Sequence, residues 1–117
     1  MSKSEHRIQD EIRLALSEYG IVLRLNSGQA YGGKRVWNKK YGYILTDIHP
    51  IALCVKGTPD LLFIGPDGTV AFIECKDDKG KPSDDQERFI NVIKSYGHKA
   101  GIARSPDDAL RIIGYGG

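Results

Sequence analysis

The 117-residue chain, 40% hydrophobic and 27% charged, has the composition of one ordinary globular domain. No apolar run approaches the ~20 residues that span a bilayer, and the polar stretch MSKSEHRIQDEIR reads as no secretory signal, so a cytoplasmic protein without membrane contact is expected. The net charge of +2 does not by itself argue for a nucleic-acid partner.

Ile8, Ile12, Ala15, Leu16 and Tyr19 recur at helical spacing and predict a first helix over residues 4–19, with Gly20 as its C′ stop. Ile21–Leu25 reads as a short strand that ends in the turn-like Asn26-Ser27-Gly28. Residues 29–55 form an insert that fits either a hairpin or a mobile loop. Lys34, Arg35, Lys39, Lys40 and Lys56 gather in this part of the chain against Asp47 alone, among Tyr31, Trp37, Tyr41 and Tyr43.

Two strands are expected at 60–65 and 69–76, joined by the hairpin turn Gly65-Pro66-Asp67-Gly68. Leu61-Leu62-Phe63-Ile64 does not alternate, which predicts cover on both faces. Ser83-Asp84-Asp85-Gln86 matches a capping box and opens a helix with Phe89, Ile90, Ile93 and Tyr96 on its apolar face, closed by Gly97. A last strand over 99–103 and a helix starting at Ser105-Pro106 complete the order α-β-(insert)-β-β-α-β-α in one α/β domain over residues 1–117. Cys54 and Cys75 have no metal-site spacing and read as two buried, reduced thiols. The histidines are scattered and no Walker motif is present, so neither zinc nor a nucleotide cofactor is expected.

The chemistry-bearing residues lie at strand ends. Glu74 and Lys76 are i and i+2 and share one face. The hairpin register brings Asp60 near them. Two carboxylates with an ammonium suit Mg²⁺ or Mn²⁺, and the backbone carbonyl of Cys75 can add an oxygen ligand. Such a cation would offset the desolvation of buried acids. Alternatively, these charges simply pair with one another at the surface.

Pro59-Asp60…Glu74-Cys75-Lys76 resembles the PD-(D/E)xK nuclease superfamily. The wider pattern resembles its VRR-NUC family. That pattern comprises Glu5-x-x-Ile8-Gln9, Asn26-Ser27-Gly28, Lys56-Gly57-Thr58-Pro59-Asp60, Glu74-x-Lys76 and Gly80-x-x-Ser83-x-x-Gln86, in order along nearly the whole chain. The resemblance implies a restriction-endonuclease-like core, a mixed central sheet flanked by helices, and metal-dependent hydrolysis of DNA phosphodiesters. Standalone members look like phage or bacterial homodimers that act on branched DNA such as Holliday junctions, in repair or recombination. Flap cutting, nicking, or a binding module with a degenerate site are the alternatives.

By that resemblance Asp60 and Glu74 bind metal, and Lys76 orients water or steadies the phosphate. Glu5 adds a third carboxylate, with Glu11 its rival, unless Glu5 only completes a capping box with Ser2. Gln9 and Gln86 join the site, although Gln86 also serves as a helix cap. Independently of the resemblance, Lys34, Arg35, Lys39 and Lys40 are mixed with aromatic rings in a way that suits DNA phosphates, and Lys56 is either a further phosphate contact or an ordinary exposed lysine. Asn26 and Ser27 either touch DNA or merely turn the chain. The basic, aromatic insert is DNA-facing or dimer-forming.

Overall fold

A computed structural model describes residues 4–25, 29–52 and 54–115. The expected element order is found: α1 (Glu5–Leu16), β1 (Ile21–Arg24), β2 (Gln29–Asn38), β3 (Gly42–Ala52), β4 (Leu61–Ile64), β5 (Val70–Cys75), α2 (Asp84–Ser95), β6 (Lys99–Ala103) and α3 (Pro106–Ile113). The central sheet has strand order β1-β4-β5-β6. Its first two pairings are antiparallel and its last is parallel, so the sheet is mixed.

Strand alternation sorts the core. Leu61, Phe63, Ala71, Ile73 and Cys75 turn to one face and are fully buried with Ile12, Leu16, Ala109 and Ile113 of α1 and α3. On the opposite face α2 covers only part of the sheet, where Phe89 meets Phe72 edge-on at 5.5 Å. Ile21, Leu23 and Ile64 on the β1–β4 side of that face are exposed. The expectation that Leu61–Ile64 is covered on both faces is therefore corrected. Only one face is sealed, because α2 leans toward β5 and β6.

Four other details differ from the sequence reading. α1 ends at Leu16, and Tyr19 stacks on Tyr115 at 4.8 Å instead of joining the helix face. Gly20 is not a left-handed cap, since Ser17 caps α1. A Cβ on Gly20 would stand 2.4 Å from the Ile64 carbonyl oxygen, so close approach to β4 is what requires glycine there. Tyr96 caps α2 and is exposed, whereas Gly97 closes the helix in the left-handed region as expected. Of the two free thiols, Cys75 is buried but Cys54 is only half-buried.

The insert is a hairpin. β2 and β3 pair only with each other, in a separate two-stranded sheet. A bulge sets Gly33 against Asp47 and Ile48, with Asp47 at φ 53°. The radius of gyration is 17.1 Å, against about 13 Å for a compact chain of this size, and the longest dimension is 57 Å. The hairpin is an arm projecting from the body.

Gly20→Ala is expected to lower the unfolding free energy by about 2–3 kcal/mol, because backbone must move. Gly97→Ala, whose Cβ meets nothing within 4 Å, should lose only about 1 kcal/mol from its positive φ. Urea unfolding of both variants tests the order; a larger loss at Gly97 would contradict it.

Candidate metal centre

The site forms where β4 and β5 part. Leu61 pairs with Ile73, so one step further the register sets Asp60 opposite Glu74. The Cys75 N–H donates to Asp60 Oδ2 at 2.9 Å. In a strand the N–H and C=O of one residue point to the same side. The Cys75 carbonyl therefore faces the gap beside Asp60, as the expected backbone ligand requires. The next amide, of Lys76, turns the other way and donates to the Ala103 carbonyl.

Glu74 is only 2% exposed. Its Oε1 lies 3.7 Å from the Lys76 ammonium, itself 14% exposed. Its Oε2 is buried without a hydrogen-bond partner. Glu5, at the start of α1, completes the cluster, with one oxygen each of Glu5, Asp60 and Glu74 within 4.8 Å of one another. Burial first, then the charge of Asp60 and a hydrogen bond between the two carboxyls, push the Glu74 carboxyl up to about 8. The same burial pushes the Cys75 thiol up and leaves it unreactive.

This donor set fits a hard divalent cation. It offers carboxylate oxygens, one of them buried and unsatisfied, and a carbonyl aimed at the same gap. Gln9 sits one turn beyond Glu5 on the same helix face, buried, and its Oε1 also lacks a partner. Glu11 is held by Arg7 at 3.5 Å. The cap of α1 is Ser4, whose hydroxyl accepts from the Arg7 N–H, and Glu5 is the first helical residue; Ser2, the other half of the capping box weighed for Glu5, lies outside the described residues.

The loop that carries Asp60 is braced by α2. Gly57 has φ 90°, and a Cβ there would stand 2.4 Å from the Asp85 carbonyl oxygen. Lys56 pairs with the Asp85 carboxylate at 3.4 Å. The Thr58 hydroxyl donates to the Val55 carbonyl at 2.6 Å, and Pro59 is fully buried. The α2 end of this brace is fixed by a capping box. Gln86 Oε1 accepts from the Ser83 N–H at 2.8 Å, while Ser83 Oγ accepts from the Gln86 N–H at 3.2 Å.

Sequence reasoning missed the support behind Lys76. Asp77 Oδ1 accepts from the Lys79 and Gly80 amides, folding the loop back. Gly80 thereby lies against the Lys76 side chain, where a Cβ would stand 3.2 Å from Cδ. The Arg104 guanidinium donates to the Asp77 carbonyl, and the Arg104 N–H donates to Asp108 at 2.9 Å. Arg104 lies far from Asp77 in sequence, and no local pattern announces the contact. Asn26 and Ser27 lie outside the described residues. Lys34, Arg35, Lys39 and Lys40 stand exposed on the hairpin arm.

A mixed sheet flanked by helices, with carboxylates gathered at a strand end, places the molecule among α/β domains of restriction-endonuclease-like architecture. The family model of the VRR-NUC domain matches residues 4–107, and the chain belongs to that family. Membership implies a nuclease-type domain with DNA as its partner. A solved structure titled "VRR_NUC domain" matches with a TM-score of 0.61 and 22% identity over 95% of each chain, a likeness of fold. None of the curated proteins matches.

Because the Glu74 carboxyl stands above its ordinary value of 4.5, the folded protein keeps a proton that the unfolded chain has released. Without metal, this group makes stability fall as pH rises from 4.5 to about 8, and level off above that. Glu74→Gln should remove that fall and melt above wild type at alkaline pH in EDTA. It should also lose the gain in Tm that Mn²⁺ gives wild type. Thermal melts across pH, with and without Mn²⁺, check both. Parallel wild-type and variant profiles in EDTA would contradict the assignment.

Proposed function

We propose that the protein is a Mg²⁺- or Mn²⁺-dependent endonuclease that cuts branched DNA, such as a four-way junction, as a homodimer. The observation that carries this reading is the cluster of Glu5, Asp60 and Glu74 with the unsatisfied Glu74 Oε2 beside Lys76. A divalent cation bound there supplies Lewis acidity toward a phosphodiester and its attacking water. Asp60 and Glu74 hold it, with the Cys75 carbonyl and Glu5 as further ligands. The Lys76 ammonium stands beside Glu74 and orients the water or neutralises charge on the phosphate. The Gln9 carbonyl oxygen accepts a hydrogen bond from water in the site. The Gln86 oxygen is engaged by the cap, so its amide N–H₂ is the part that reaches toward DNA.

Lys34, Arg35, Lys39, Lys40 and Lys56 contact phosphates, supported by their exposure and by the single acid among residues 29–56. Asn26 and Ser27, at the start of the insert, are assigned to the same DNA path. The exposed strip of Ile21, Leu23 and Ile64 gives two copies a surface to bury. A two-fold pair would present two sites to opposed strands of a junction.

Cleavage of labelled junction, flap and linear duplex in Mg²⁺ or Mn²⁺ tests the reading. Paired cuts across the junction are expected from wild type. Lys76→Ala and Asp60→Asn should each lose at least about 10²–10³-fold in rate. Single cuts on flaps would keep the chemistry and change the substrate. No cutting of any substrate in either metal would leave only a DNA-binding module, and undiminished cutting by Lys76→Ala would overturn the site assignment.

A further inference from the structure

The hairpin arm holds its aromatic rings in an unusual way. The register pairs Arg35 with Leu45 and Trp37 with Tyr43. Alternation therefore sets Arg35, Trp37, Tyr43 and Leu45 on one face, with Tyr31 further down the same strand. The Arg35 guanidinium lies 3.7 Å over the Tyr43 ring, and Trp37 meets that ring edge-on at 5.1 Å. Yet Trp37 is 65% exposed, and Tyr31 and Tyr43 are each 62% exposed. The opposite face keeps the smaller Val36 and Ile44, both half-buried. A soluble hairpin commonly shelters its largest apolar groups; this one presents them, fixed in place, to solvent. The tip adds Lys39 and Lys40, the latter 5.2 Å from the Tyr41 ring.

The arm also springs from the site. The Leu25 N–H donates to the Asp60 carbonyl at 2.7 Å, and β2 begins at Gln29. Strands of this length reach ~30 Å from that root. The root of the arm thus adjoins the strand end that carries Asp60.

We propose that the Tyr31–Arg35–Trp37–Tyr43 face is a base-stacking platform. It takes bases with open faces, unpaired or unstacked at a branch point, in the DNA that enters the site, while the arm's cations take their phosphates. The proposal rests on the nuclease reading for its DNA and adds how that DNA is selected, through bases free to stack. A second copy of the chain fits the face less well. An isologous pair would set Arg35 and the lysines against their own copies, with Asp47 the arm's one acid. A polyanion with open π faces satisfies the cations and the rings together.

Trp37 is the chain's single tryptophan, so its fluorescence reports on this face alone. The full chain is titrated in EDTA with single-stranded oligonucleotide, four-way junction and blunt linear duplex. Single strand and junction should quench Trp37 more than duplex does. By anisotropy of labelled DNA, Trp37→Ala and Tyr43→Ala should each weaken binding of single strand and junction about tenfold and leave duplex nearly unchanged, whereas Trp37→Phe and Tyr43→Phe should largely keep it. Lys39→Ala should weaken all three alike and lower the salt slope by ~1. No quench, or equal loss on duplex, overturns the platform. A Trp37 signal that follows protein concentration without DNA overturns it in favour of a contact between copies. Lost cleavage in Mn²⁺ with the quench intact would instead sink the nuclease reading and leave the platform standing.

Discussion

The burial of Glu74 beside Asp60 is the constraint on which the working end of the molecule depends. A carboxylate 2% exposed next to a second carboxylate is unfavourable by several kcal/mol unless opposite charge or hydrogen bonds compensate. The protein compensates in part. The Cys75 amide serves Asp60, and Lys76 stands 3.7 Å from Glu74. Glu74 Oε2 still has no partner. Retaining a proton on the pair relieves the repulsion at low pH, and a divalent cation relieves it with more charge. A cation bound there would therefore be linked to folding, and the fold holds the acids together rather than the acids holding the fold.

What enforces the arrangement is rigid backbone. The β4–β5 register fixes Asp60 against Glu74, and strand alternation turns Glu74 and Lys76 away from the α1–α3 core. The approach to Asp60 is wedged between Gly57, seated on the Asp85 carbonyl, and the buried ring of Pro59. The capping box of α2 thus has a consequence beyond helix stability. It holds the turn against which the Asp60 loop leans. The exit from Lys76 is held likewise, by Asp77 folding its own loop and Arg104 fastening the Asp77 carbonyl. Ligands placed by such supports keep their geometry when charge arrives.

Local chemistry was legible in the sequence. The Pro-Asp-Gly turn, the Ser83–Gln86 box and the Ser105-Pro106 start are each written within four residues, and each is found where expected. The register that joins Asp60 to Glu74 followed from the same short turn. Features set by distant packing were not legible. Gly20 looked like a cap because glycine after a helix commonly is one, and only the path of β4 shows that it answers to Ile64. Leu61–Ile64 looked sealed on both faces because composition cannot tell a half-covered strand from a covered one. Glu5 and Glu11 could not be ranked by spacing, because the packing that gathers Glu5 with Asp60 and Glu74 is tertiary. The hairpin was one of two options, since pairing with no third strand leaves only a weak pattern.

The division of charge between body and arm follows from the same constraint. Three carboxylates at the site repel the phosphate they are built to work on, and Lys76 is already engaged with Glu74. On the function proposed above, the attraction that brings DNA comes from elsewhere. Residues 57–117 carry an excess of acids and cannot supply it, whereas residues 29–56 set Lys34, Arg35, Lys39, Lys40 and Lys56 against Asp47 alone. Lys34, Arg35, Lys39 and Lys40 stand on the projecting hairpin, apart from the site's own acids, whereas Lys56 lies in the Asp60 loop and pairs with Asp85. Placement on the arm separates two tasks that conflict in one pocket: drawing in a polyanion, and holding a cation between acids. The long arm on a small body is the geometric form of that separation.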